Sequence, residues 1–307
     1  MYFLIAMIEL AGLNIILALS VYATLMVGQF SLAQVGFWSI GAFVGGMLTT
    51  LYDFSLFPAL LVAGGVCAVI GLLLGYPCLR IRGIYLTLAT VAFSEVVRVF
   101  FNNFEFQKDV GGQMLGPAGP LGFRSIEVLT AWPQILIAVA AFVAVFAWIE
   151  HSRVGLATNA IREDEAAASC AGVNIVLVKV SMFVLGAFIA GVGGGLYSTY
   201  MSYVVADNFG FHLALISIFY VAVGGTERFY GPVFGAILLT FLPEAFRFTG
   251  DFRMIFYGAA VLIMIVICPR GLVDELRFRL AERKNREAKL REGQKEPEKA
   301  SVAQSAI

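Results

Sequence analysis

Residues 157–174 read ATNAIREDEAAASCAGVN, a polar stretch standing between two long apolar runs. Arg162, Glu163, Asp164 and Glu165 follow one another, then small residues, then Gly172. Ala, Glu and Arg favour helix. Acidic side chains near a helix start are favoured by its dipole, and a glycine marks a natural stop. The expectation is one compact polar helix. Its Ala166, Ala167, Ala168 and Ser169 leave a smooth surface that another protein could approach closely. Two readings stay open at this level: a handle for a soluble partner, or a solvated loop between two membrane helices.

The apolar surroundings decide the class. The chain has 307 residues, of which 60% are hydrophobic and 14% charged, with a mean hydropathy of +0.86. Soluble domains carry about 25% charged residues, and several runs here reach the roughly 20 residues that cross a bilayer. The fold class is therefore all-α: a polytopic membrane helix bundle of about 8–10 transmembrane segments, some broken at glycine-rich stretches. The membrane domain is expected over 1–275, and a charged, partly disordered tail over 276–307. The first run lacks a basic leader and a small-residue cleavage site, so it is read as a retained membrane helix.

Taken in order, spans are expected at about 4–26, 28–52, 57–76, 84–101, 132–148 and 176–201. Shorter segments follow at 213–223 and 233–246, and a last one at 252–268. Eight crossings is the expected count, with one or two more if the glycine-rich regions are half-spans. The second region begins with polar and small residues, and its Gly41 and Gly45 form a GxxxG pattern suited to close helix packing. Gly191 and Gly194 give the sixth span a thin side fit for the bundle centre. The 102–131 connection, dense in Gly and Pro, reads as an irregular loop.

Ionisable groups inside spans are costly and mark function by default. Glu95 and Arg98 lie three residues apart on one helix face and can pair, close to Asn102. The plainer alternative is an ion pair at the aqueous end of the helix, with Arg98 reaching the interface.

Charge distribution sets an orientation. With residues 157–174 on the cytoplasmic side, 16 of the 21 Lys and Arg fall inside and four outside. That fits the positive-inside rule and places the first residue outside and the C-terminus in the cytoplasm. Without the tail the balance is six against four.

Enzyme chemistry is not visible. There is no GxxxxGK[ST] phosphate loop, no GxSxG and no HExxH. The four cysteines are scattered, with neither a disulfide framework nor a metal site implied. His151 sits at the end of a span beside Glu150, an ordinary interfacial position. These absences point to a conduit or a membrane scaffold.

Four stretches carry a family resemblance: SLAQVGFWSIGAF (31–43), GIYLTLATVAFSEVVRVFFNN (83–103), SRVGLATNAIREDEAAASCAGVN (152–174) and GGTERFYGPVFGAILLTFLPE (224–244), with PRGL at 269–272. Together, in that order, they resemble the membrane-spanning permease subunit of bacterial branched-chain amino-acid ABC importers. The resemblance implies a multi-pass protein of the bacterial inner membrane that is not itself an enzyme. Its implied partners are a second related permease, cytoplasmic ATPase subunits that bind ATP and Mg, and an external substrate-binding protein, besides membrane lipid; no nucleic acid and no cofactor in this chain are implied.

The same resemblance makes 157–174 the coupling helix that docks into the ATPase, through Arg162, Glu163, Asp164, Glu165, Ala166, Ala167 and Gly172. The glycine falls one position later than in the general importer pattern. Thr226, Glu227 and Arg228 stand where smaller residues are the family habit. The substrate path is expected at Glu95, Arg98 and Asn102, with 28–46 shaping the cavity. Related machinery carries urea, short amides or aromatic acids. Rivals from other classes are a stand-alone secondary transporter, for which broken helices and an intramembrane Glu95 would serve too, and a non-transporting scaffold.

Overall fold

A computed structural model of the chain describes residues 2–78, 81, 83–110, 113–128, 130, 132–268 and 271–279. The expected tail over 276–307 lies outside the described residues beyond 279. The fold is a helix bundle built from α1 (Tyr2–Leu25), α2 (Ala33–Tyr52), α3 (Leu56–Cys78), α4 (Ile84–Asn103), α5 (Trp132–His151), α6 (Arg153–Glu163), α7 (Glu165–Cys170), α8 (Ile175–Met201), α9 (Phe211–Gly224), α10 (Tyr230–Ala245) and α11 (Arg253–Ile267).

Seven helices are long and apolar enough to cross a membrane: α1 to α5, α8, and the last, which counts as Arg253–Arg279. Helices α9 and α10 are apolar but have 14 and 16 residues. At 1.5 Å per residue they reach about 21–24 Å, short of the ~30 Å hydrocarbon core. Among the described residues this makes seven helices long enough to span and two shorter apolar ones, within the expected range of about 8–10 segments when the short ones are counted. The parity matters: eight crossings return the chain to its starting face, whereas the orientation drawn from charge needs its ends on opposite faces.

Helix α8 is the hub, packed on α1, α2 and α3. Glycines permit the approach. A Cβ on Gly41 would overlap the Gly191 carbonyl, and one on Gly194 would overlap the Trp38 carbonyl. A Cβ on Gly45 would stand 2.8 Å from Gly195 Cα, and one on Gly191 would stand 2.7 Å from Cys67 Sγ. Around this seam Tyr22, Phe37, Phe43 and Phe183 are fully buried. Phe43 stacks on Phe101 of α4 at 4.1 Å between ring centres. The outward faces expose Leu73, Tyr85, Val96, Trp148 and Val266, as a lipid-facing surface requires.

Two connections are more ordered than their composition implied. Strands β1 (Lys108–Val110) and β2 (Gln113–Leu115) form an antiparallel hairpin. Strand β3 (Phe123–Arg124) pairs with β4 (Tyr203–Val204), directly after α8. The Ile126 amide donates to Ser202 O at 3.1 Å, and the Glu127 amide to Thr50 Oγ1 at 3.3 Å. The supposed irregular loop is thus sewn across the ends of α2 and α8. Strands of two or three residues leave no period to read in a sequence.

A candidate coupling element and a polar cluster on the opposite face

The polar stretch is not one helix. It folds as α6 and α7, broken at Asp164, whose backbone is extended (φ −155°, ψ 112°). Asp164 Oδ1 accepts from the Ala166 amide at 2.8 Å and the Ala167 amide at 3.2 Å. An aspartate satisfies free amides better as an N-cap than as a helix-interior residue, and here that preference wins over the helical composition. Ser152 caps α6 in the same way, accepting from the Val154 amide at 3.2 Å. Gly172 ends the unit as expected. Its φ is +83°, and the Val173 amide turns back to Ala168 O at 3.1 Å.

Each charge of the row is now placed. Glu163 is exposed, as are Ala166 and Ala167. Glu165 Oε1 accepts from Lys179 Nζ of α8 at 2.5 Å, and that lysine side chain is only 10% exposed. Arg162 Nη1 donates to the Thr226 carbonyl at 3.0 Å. So α7 is pinned to α8, and α6 to the loop joining α9 and α10.

That loop, 225–229, is gripped from two further directions. Glu150, at the end of α5, has a side chain 7% exposed. Its Oε1 accepts from the Phe229 amide at 2.6 Å and from the Tyr22 hydroxyl at 2.9 Å, and its Oε2 accepts from Arg228 Nη1 at 3.3 Å. Asp274, beyond α11, is buried, and its Oδ2 accepts from the Glu227 amide at 3.0 Å. A buried carboxylate is costly unless hydrogen-bonded, and here loop amides supply the bonds. Sequence reasoning missed Glu150, Lys179 and Asp274. Glu150 carried a faint signal as an acid at the aqueous end of a span; the other two carried none, because their partners are distant in sequence.

On the opposite face the three expected path residues do come together. Arg98 Nε donates to Glu95 Oε2 at 2.7 Å, and Arg98 Nη1 to Asp207 Oδ1 at 2.7 Å. Asn102 Nδ2 donates to the same Asp207 oxygen at 2.8 Å. Asp207 belongs to a 3₁₀ turn, Ala206–Phe209, and was not anticipated. The Asn102 amide, and then the Arg98 guanidinium, hold its carboxyl below the ordinary carboxylate value. The Glu95 and Arg98 side chains are each about one-third exposed.

The expected cavity-shaping region, 28–46, divides in two. Gly36, Gly41, Gly45 and Gly46 pack against neighbouring helices or the outer loop, because their absent side chains serve close contact. Its first residues line the larger space, and Trp38 borders a smaller one beside α1. A cavity of about 360 Å³ lies on the α6–α7 face among Gly28, Gln29, Phe30, Ile84, Glu165 and Lys179.

Compared with known proteins, residues 3–267 match the family described as branched-chain amino acid transport system / permease component. The chain is 28% identical to the high-affinity branched-chain amino acid transport system permease protein LivM of Salmonella typhimurium, over 94% of this chain and 70% of the relative. It is also 28% identical to Escherichia coli LivM, over 88% and 68%. The probable branched-chain amino acid transport permease protein LivH of Methanocaldococcus jannaschii is 23% identical over 84% of this chain and 85% of its own length. No solved structure matches.

Proposed function

Because this chain belongs to the family of branched-chain amino acid transport permease components, we propose that it is a transmembrane permease subunit of an ATP-driven importer for branched-chain amino acids. It works beside a second, related permease, with substrate passing between the two. An external binding protein delivers the substrate, and cytoplasmic ATPases, which hold ATP and Mg, drive the cycle. The membrane domain is 1–275, the α6–α7 face and the C-terminus are cytoplasmic, and the protein resides in the bacterial inner membrane.

The observation that carries this reading is the construction of α6–α7. An exposed step of Glu163, Ala166 and Ala167 is backed by two ties into the bundle, Arg162 to Thr226 and Glu165 to Lys179. A docking element must be smooth outward and stiff inward if partner movement is to become helix movement. A merely solvated loop needs neither tie.

The Glu95–Arg98–Asp207–Asn102 cluster supports a path on the outer side. Charged groups on an exposed face of a spanning helix do not face lipid without large cost. They face a neighbouring permease or water, which is where a zwitterionic substrate would pass.

The test is uptake of radiolabelled leucine into liposomes holding the complete transporter, with and without internal ATP. Uptake that needs ATP and the ATPases supports the reading; uptake by this chain alone, driven by an ion gradient, overturns it. Urea and a short amide run alongside leucine decide the substrate class.

A further inference from the structure

The cavity beneath the coupling element has a composition of its own. One wall is Lys179, nearly buried, whose partner is Glu165 of α7. Buried lysines are uncommon without a counter-charge, and this one sits in the first turns of α8, where the helix dipole disfavours a cation. A second wall is Gln29, which is buried and whose Oε1 has no hydrogen-bond partner among the described residues. Phe30, Ile84 and Leu86 supply apolar surface, and Thr87 closes the rim, its hydroxyl donating to Phe30 O at 2.9 Å. The space, about 360 Å³, falls within the range of small-ligand pockets, about 300–1,000 Å³.

Among the described residues the lining charges are one cation and one carboxylate, which cancel. A simple anion would leave Glu165 opposed, and a simple cation would leave Lys179 opposed. A molecule bearing both signs a few bonds apart satisfies both, and the apolar wall suits an aliphatic side chain. We propose that this cavity is a binding site for a zwitterionic aliphatic α-amino acid on the cytoplasmic side of the permease. Lys179 meets the carboxylate, and Glu165 meets the ammonium. The ligand's charges then stand between α7 and α8, where the direct ion pair had joined them. Internal amino acid thereby loosens the tie that backs the coupling element. The inference rests on the orientation and substrate class of the proposed function, and it adds a second, inward site.

The experiment is equilibrium binding of radiolabelled leucine to the complete ATPase–permease complex in detergent, without the external binding protein. Leucinamide, lacking the carboxylate, and 4-methylpentanoate, lacking the ammonium, serve as competitors. Saturable binding that leucine displaces and both analogues displace at least about tenfold more weakly is expected, one charge-assisted contact being worth about that factor. Lys179→Met abolishes it. Ile84→Trp, which fills the cavity from an exposed position, abolishes it too, so the result does not depend on one variant folding. Absent binding, equal displacement by 4-methylpentanoate, or binding unchanged in both variants overturns the site. ATP-driven uptake by the wild-type transporter, measured in parallel, separates that failure from a failure of the importer reading itself.

Discussion

The guanidinium of Arg162, in α6, donates to the backbone carbonyl of Thr226, in the loop between α9 and α10, across 64 positions of sequence at 3.0 Å. The bond joins the exposed α6–α7 element to a loop that Glu150 and Asp274 also hold. A displacement of α6 is therefore felt at the base of two helices. Arg162→Ala is expected to lower ATP-driven uptake roughly three- to tenfold, as for loss of one ordinary hydrogen bond, while ATP hydrolysis falls less. The ratio of transport to hydrolysis is the quantity to measure; a variant with both rates intact would remove Arg162 from the coupling route.

Glu150→Gln and Asp274→Asn probe the other side of that loop. Each removes a buried charge that accepts from loop amides. Neither substitution changes volume much, so the permease should still reach the membrane. Reduced uptake per hydrolysed ATP is expected in both. Unchanged stoichiometry would mean that the grip on 225–229 serves stability alone.

Helix packing gives a prediction independent of transport. Gly41→Ala puts a methyl against the Gly191 carbonyl, whereas a Cβ at Gly65 of α3 meets nothing within 4 Å. Thermal unfolding in detergent should drop for Gly41→Ala by the equivalent of about 1–3 kcal/mol, the usual cost of overpacking. Gly65→Ala should be neutral or stabilising by about 0.5–1 kcal/mol, from the lower entropy of the unfolded chain.

Cysteine accessibility tests orientation. Cys170, in α7, is exposed, whereas Cys67 and Cys78 are buried. A membrane-impermeant maleimide should label Cys170 in inverted vesicles and not in intact cells. Adding the ATPase subunits should slow that labelling. Labelling from outside intact cells would reverse the assigned topology.

At the opposite face, folding lowers the Asp207 pKa through Asn102 and Arg98. A carboxylate so depressed contributes above its unfolded value, and loses that contribution only as pH falls through the lower folded one. Asp207 should therefore stay ionised from about pH 5 to pH 8, leaving uptake without a step controlled by that carboxylate in that window. Asp207→Asn should raise the leucine concentration for half-maximal uptake a few-fold, roughly three to ten; an unaltered concentration dependence would take the cluster off the path.

The bundle was legible because length and hydropathy dominate the cost of crossing a bilayer. The thin faces of α2 and α8 were legible too, since Gly41, Gly45, Gly191 and Gly194 have few other uses in a span. Other features were hidden by range and scale. The break at Asp164 turned on whether one side chain capped or continued a helix, a choice that composition does not reveal. Lys179, Glu150 and Asp274 acquire meaning only from partners 14 to 79 positions away. Asp207, 105 positions from Asn102, carried no sequence signal of its own. Thr226 to Arg228, which departed from the family habit, lie in the loop that Arg162 of α6 holds.

The most direct test of the central claim is a size change on the exposed step alone, Ala167→Trp, read in the assembled transporter. Ala167 is exposed, and its amide is held by the neighbouring Asp164 cap, so the fold should tolerate the change. Loss of ATP-driven leucine uptake and of ATPase co-purification, with the permease still in the membrane, is the predicted result. Full uptake with the ATPases still bound would contradict the assignment of α6–α7 as the docking element.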